Sequence, residues 1–109
     1  MKLIVAVVQD KDAPRFLGEL VEKGFRATKL ASTGGFLREG NTTILVGVED
    51  EHVDTVMDLV RATCRSREQL VTPMTSSGGA VDAYVPYPIE VVVGGATVFV
   101  LDVVTCVRT

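Results

Sequence analysis

The chain has 109 residues and a net charge of −3, with 47% hydrophobic and 23% charged residues. That length fits one domain, 1–109, able to bury about two-thirds of the surface its unfolded form exposes. The acidic balance excludes the basic footprint that polymeric DNA or RNA requires, and the single histidine, His52, excludes a histidine metal or catalytic cluster.

Residues 2–9 form an apolar, Val- and Ile-rich run that predicts a strand buried on both faces. Asp10 and Asp12 follow as helix-capping carboxylates, and Pro14 suits a first helical turn. Ala13, Phe16, Leu17, Leu20 and Val21 make one apolar stripe at helical spacing, and Gly24 marks its end. A second strand is expected from Phe25 to Ser32, then a glycine-punctuated loop over 33–41, then a third strand from Thr42 to Val48. Glu49, Asp50 and Glu51 sit where a helix dipole favours negative charge, and Val53, Val56, Met57, Val60 and Cys64 continue as a helical stripe. Arg61, Arg65 and Arg67 stand toward its C-terminal end. Residues 66–88 read as one long loop. Ile89 to Val104 reads as a β-prone segment with a bulge or tight turn at Gly94-Gly95.

The order is β-α-β-β-α-β, an α+β ferredoxin-like fold with two helices on one face of a four-stranded antiparallel sheet. The helices cover only one face, yet Val5, Val7, Val98, Val100 and their alternating neighbours are apolar throughout. Burial of the open face between subunits, as a homo-oligomer, is therefore expected. No apolar run reaches the roughly 20 residues of a membrane span, and Leu3–Val8 runs directly into charged residues without the organisation of a secretory signal. A cytoplasmic protein without membrane insertion is expected, with Cys64 and Cys106 as free buried thiols.

The carboxylate clusters sit at helix starts, where capping and dipole effects explain them, and no histidine accompanies either cysteine. The expectation is a protein that is not an enzyme, with no catalytic residues, metal or cofactor. The stronger chemical signal is the loop after the second strand. Its glycines allow close backbone approach to an anion, Phe36 offers a stacking surface, and Arg26, Thr28, Lys29 and Arg38 supply charge and hydroxyl donors. Asn41 supplies both donor and acceptor for a base edge. The same residues also describe a plain turn flanked by solvated cations, and neither GxxxxGK[ST] nor GxGxxG is present.

The stretch Phe25 to Thr43, FRATKLASTGGFLREGNTT, closely resembles the PII-like cyclic di-AMP receptors of bacteria. So do the opening ten residues, Arg67-Glu-Gln-Leu, Tyr84-Val-Pro-Tyr-Pro-Ile-Glu90 and Val93-Gly-Gly-Ala-Thr-Val-Phe-Val100. The resemblance implies a PII-like homotrimer with sheets packed at its centre, a short ligand loop (33–41) and a long loop (66–88). It implies a signal-transduction receptor that binds cyclic di-AMP in clefts between subunits and relays it, by loop rearrangement, to a downstream partner the sequence leaves unidentified. By position, Arg26 and Thr28 would lie near the phosphates and one base. Gly35, Phe36 and Leu37 would cover an adenine, Asn41 would meet a base edge, and Gly47 would admit close backbone approach.

Three positions and the C-terminal segment depart from that family. Gly24 stands where relatives often carry Asn, Ala80 and Ala83 replace polar residues, and Cys106-Val-Arg-Thr109 replaces an ending in Gln-Phe, with Arg108 within reach of a phosphate. The alternative reading is a PII-type regulator of another nucleotide such as ATP or ADP. A metal-tolerance trimer of this fold is opposed by one histidine and two scattered cysteines, and an acylphosphatase is favoured only by Arg15, Arg26 and Arg38.

Overall fold

The computed structural model describes residues 1–30, 33–35, 38–71 and 89–109. The elements run β1 (Lys2–Gln9), α1 (Ala13–Glu22), β2 (Ala27–Lys29), β3 (Thr33–Gly35), β4 (Arg38–Val48), α2 (Val53–Cys64), β5 (Arg67–Val71), β6 (Ile89–Val93) and β7 (Ala96–Asp102). The main sheet has the order β2-β4-β1-β7, with β3 also paired to β4, and every pairing is antiparallel. With two helices against it, this is the α+β arrangement expected of a ferredoxin-like fold.

The alternation of β1 sets the layers. Ile4, Ala6 and Val8 are buried among Phe16 and Leu20 of α1 and Val56, Leu59, Val60 and Cys64 of α2. Their ladder partners Thr42, Ile44 and Val46 on β4 are buried on the same side. Phe16 has no exposed surface, and burying a side chain of that size contributes about 1.5–3 kcal/mol. The alternate residues Leu3, Val5 and Val7 are only half-buried and look out on the uncovered face.

Gly24 closes α1 as the sequence indicates. Its φ is +85°, its amide donates to the Val21 carbonyl (3.0 Å), and Phe25 N–H donates to the Leu20 carbonyl (2.9 Å), forming a Schellman motif. The expected carboxylate caps do not form. Asp12, at the N-cap, makes no capping hydrogen bond, because its carboxylate is taken by Arg67 at 2.9 Å and 3.3 Å. Asp10 instead accepts from the Thr42 hydroxyl at 2.5 Å, tying the end of β1 to β4.

Several boundaries also differ from the sequence expectation. The second strand is only Ala27–Lys29, with residues 31 and 32 outside the described residues. The segment 33–41 is not a plain loop, since Thr33–Gly35 is β3 and Arg38–Asn41 begins β4, with Thr33 opposite Asn41. Asp50–His52 forms a short 3-10 turn ahead of α2. The expected loop 66–88 begins with a strand, β5, which pairs with β6 as a separate two-stranded ribbon, and 72–88 lie outside the described residues. Gly94-Gly95 therefore links strands of two different sheets, and Cys106 is exposed rather than buried. Among the described residues, no helix is long and apolar enough to cross a membrane.

The two glycines of that link have φ of +80° and +100°, and their amides donate to the Gln9 side-chain oxygen (2.7 Å) and the Cys64 carbonyl (2.5 Å). A Cβ on Gly94 would meet the Arg65 carbonyl oxygen at 2.5 Å, whereas one on Gly24 would meet nothing within 4 Å. Gly24→Ala should therefore cost only the left-handed backbone penalty, about 1–2 kcal/mol. Gly94→Ala adds a backbone clash and should cost about 3 kcal/mol or more. Urea denaturation of both variants checks the ranking, and equal losses would contradict it.

Candidate functional site

At the end of the sheet where β1 begins, three strands present their uncovered side together. Leu3 lies opposite Gly47 and Val5 opposite Leu45, while Thr28 pairs with Leu45 from the other side. Leu3, Thr28, Leu45 and Gly47 floor a cleft of about 360 Å³. Arg26, just before β2, stands on one wall. Thr105, Cys106 and Arg108, from the tail beyond β7, form the other. The tail is led to this position by Val103, whose amide donates to the Met1 carbonyl at 3.3 Å.

The electrostatics of the cleft follow from which cations are already paired. The N-terminal ammonium meets Asp50 at 3.0 Å, and that hydrogen bond holds the Asp50 carboxyl below its ordinary range. Lys2 is paired with Asp102, which holds the lysine above its ordinary value. Among the described residues, Arg26 and Arg108 make no side-chain hydrogen bond or ion pair. Two guanidiniums thus face one cleft beside the Thr28 hydroxyl, an arrangement suited to an anion with more than one oxygen to bind. No group of three or more His, Cys, Asp or Glu among the described residues is placed to hold a metal ion.

Of the residues singled out in the sequence, the cleft brings together Arg26, Thr28 and Gly47. A Cβ on Gly47 would meet the flexible Met1 methyl group at 3.2 Å, so a side chain there would need that methyl to shift by a few tenths of an ångström. Asn41 is exposed on the same side of β4 but at its other end, opposite Gln9. Six residues of strand put it about 20 Å from Gly47. Gly35 lies with it, in β3 opposite Arg38. Phe36 and Leu37 lie outside the described residues.

Thr105 and Cys106 are cleft residues that the sequence did not mark. Nothing in a short exposed tail signals where it folds back, and only Arg108 carried a chemical hint. A concavity of similar size, about 400 Å³, lies between α2 and β7 around Met57, Val60 and Val98. It is a seam between the helix layer and an edge strand, and it holds none of the residues with ligand chemistry identified above.

Comparison with known proteins bears on the whole chain. A family model described as cyclic-di-AMP receptor matches residues 1–109. The chain is also similar to the crystal structure of a functionally unknown protein from Pediococcus pentosaceus ATCC 25745. The two are 42% identical with a TM-score of 0.79, and the match covers 99% of this chain and 96% of that one.

The two cysteines report on different parts of the fold. Cys64 has no exposed surface and burial pushes its thiol up from the ordinary value, while Cys106 stands exposed at the cleft. Iodoacetamide at neutral pH should alkylate Cys106 in the folded protein and leave Cys64 unmodified, as read by peptide mass spectrometry. Comparable rates at both would mean that the helix layer does not seal Cys64.

Proposed function

The chain belongs to the cyclic-di-AMP receptor family, and on that premise we propose that it binds cyclic di-AMP in clefts completed by a second copy of itself. The observation that carries this reading is the cleft in which Arg26 and Arg108, both without an internal partner among the described residues, stand beside Thr28 and Gly47. Cyclic di-AMP carries two phosphodiester charges, and the two guanidiniums match them. Because the charge is met locally, a receptor of net charge −3 needs no basic surface.

A site using all the proposed ligand residues needs more than one chain. Arg26 and Asn41 of the same protomer are separated by about the length of β4's outer half, roughly 20 Å. Gly35, Phe36, Leu37 and Asn41 from a neighbouring copy would meet the second base, while Arg26, Thr28 and Gly47 meet the phosphates and the first. The uncovered sheet face supports such an assembly. Phe99 and Leu101 lie on it opposite Val5 and Leu3, and they are 55% and 48% exposed in the single chain. Packing these faces around a common centre gives the homotrimer expected from the sequence.

In this reading the protein is a receptor, with no chemistry performed on the ligand. The signal is a population shift, in which the ligand favours one arrangement of the segments around 33–41 and 66–88, and that arrangement is read by a protein partner.

Isothermal titration calorimetry with cyclic di-AMP, against cyclic di-GMP and ATP, tests the ligand. Saturation near one ligand per chain, selective over both controls, is the expected result. Arg26→Ala should weaken binding about thirtyfold, the effect of losing about 2 kcal/mol of charge-assisted hydrogen bonding. Asn41→Ala should also weaken it, and bound ligand should slow alkylation of Cys106. Tight ATP binding with no cyclic di-AMP response would overturn the ligand assignment. Sedimentation equilibrium tests the assembly: a trimer supports completion of the cleft by a neighbour, and a monomer that still binds with full affinity refutes it.

A further inference from the structure

At the far end of β1 from the cleft, the N-terminus of α1 and the C-terminus of α2 come together over a second concavity of about 360 Å³. It is lined by Lys11, Asp12, Arg15, Ala62, Thr63, Arg65 and Arg67, four cationic side chains and one carboxylate in an otherwise acidic protein. The carboxylate is not available to the pocket. Asp12 is 5% exposed, and both its oxygens receive Arg67, which also donates to the Arg65 carbonyl at 3.0 Å. Arg15 and Arg65 are exposed, and neither makes a side-chain hydrogen bond or ion pair among the described residues. Lys11 reaches the neutral Gln69 amide at 3.4 Å.

Helix stability explains only part of this cluster. Arg65 caps the C-terminus of α2, where the helix dipole favours a cation. Lys11 and Arg15 flank the start of α1, where the same dipole disfavours one, and the first turn of α1 has no acidic residue. Two cations thus occupy positions that cost the helix stability, and both face the pocket.

We propose that this pocket docks an acidic, carboxylate-bearing segment of a partner protein. A compact phosphate fits less well. Phosphate sites at helix starts rely on converging backbone N–H groups, and few remain here. Pro14 has none, Asp12 N–H donates to the Gln9 carbonyl, and Phe16 N–H donates to the Asp12 carbonyl. Among the described residues, no aromatic side chain lines the pocket to receive a base. What remains is the Arg15 and Arg65 guanidiniums, from the start of one helix and the end of the other, which match several carboxylates along a peptide better than one phosphorus centre. The surface is distinct from the ligand cleft, and its acidic occupant does not depend on which nucleotide that cleft holds.

Fluorescence anisotropy of labelled hexaglutamate with the full chain tests this, using labelled hexaglutamine as the neutral control. Hexaglutamate should bind, weaken as salt is raised, and lose about tenfold in affinity in the Arg15→Ala/Arg65→Ala double variant. Arg26→Ala, in the other cleft, should leave it unchanged. Equal binding by the double variant, or equal loss in Arg26→Ala, would overturn the assignment. Inorganic pyrophosphate that binds the wild type more tightly than hexaglutamate, and loses that affinity in the double variant, would make this a phosphate site and refute an acidic segment as its occupant.

Discussion

A strand in the middle of a sheet has two faces, and β1 gives only one of them to the helices. Ile4, Ala6 and Val8 are locked under α1 and α2, and this fixes the register of everything hydrogen-bonded to β1. A slip of one residue against β4 would turn Ile44 and Val46 to solvent and bring Leu45 and Gly47 inward. The pairings of Leu3 with Gly47 and Leu101, and of Val5 with Leu45 and Phe99, are consequences of that lock. The floor of the cleft and the apolar surface available for assembly are therefore one feature, the unshared side of β1 and its partners. In the proposed assembly, the same face would both pack against a second copy and complete the cleft.

Charge is arranged along the same strand. The chain is acidic overall, yet several of its cations are grouped. Near the start of β1 the N-terminal ammonium and Lys2 are matched by Asp50 and Asp102, which leaves Arg26 and Arg108 to the cleft. Beyond its end Arg67 is matched by a nearly buried Asp12, which leaves Arg15 and Arg65 facing outward. Internal pairing takes up Lys2 and Arg67, and four guanidiniums with no partner among the described residues, Arg26, Arg108, Arg15 and Arg65, stand at two ends of one strand. Exposed pairs such as Arg61 with Asp58 contribute little to stability. The Asp12–Arg67 pair differs, because losing Arg67 would strand a carboxylate in a buried position.

Much of the fold was legible because the β-α-β-β-α-β order rests on local periodicity. The stripes of α1 and α2, the termination at Gly24 and the long apolar β1 appear where residue spacing puts them, except that Val21, expected in the α1 stripe, is 68% exposed at the last turn of the helix. Segments whose state depends on distant partners read less well. Arg67 looked like the end of a helix charge pattern, but it begins a strand whose pairing lies across residues 72–88, in Ile89–Val93. Asp12 looked like a cap, since cap chemistry is local and the competing guanidinium is 55 residues away. At the site, Arg26, Thr28 and Gly47 were visible through their resemblance to a family. Their convergence with Cys106 and Arg108 needed the tail to fold back along the sheet, which no spacing encodes. Asn41 illustrates the limit most clearly. It lies on the same face and strand as Gly47, and the pattern gives no sign that a single chain separates them.

The position of these features on β1 also restricts how a bound ligand can be felt elsewhere. The central strand and its buried partners belong to the most stable part of such a fold, and packed cores deform little. A signal does not travel by stretching β1. The elements attached to it by few bonds are the tail held through Val103 and Met1, the β3 strand on the edge of β4, and the ribbon of β5 and β6, and the proposed relay would act through these. Among the contacts that fasten that ribbon at its root are three: Arg67 on Asp12, the Gly94 amide on Gln9 and the Gly95 amide on the Cys64 carbonyl. Two of the three end on residues at or just beyond the end of β1, and the third on the last residue of α2. The root of the ribbon is thereby pinned to the core.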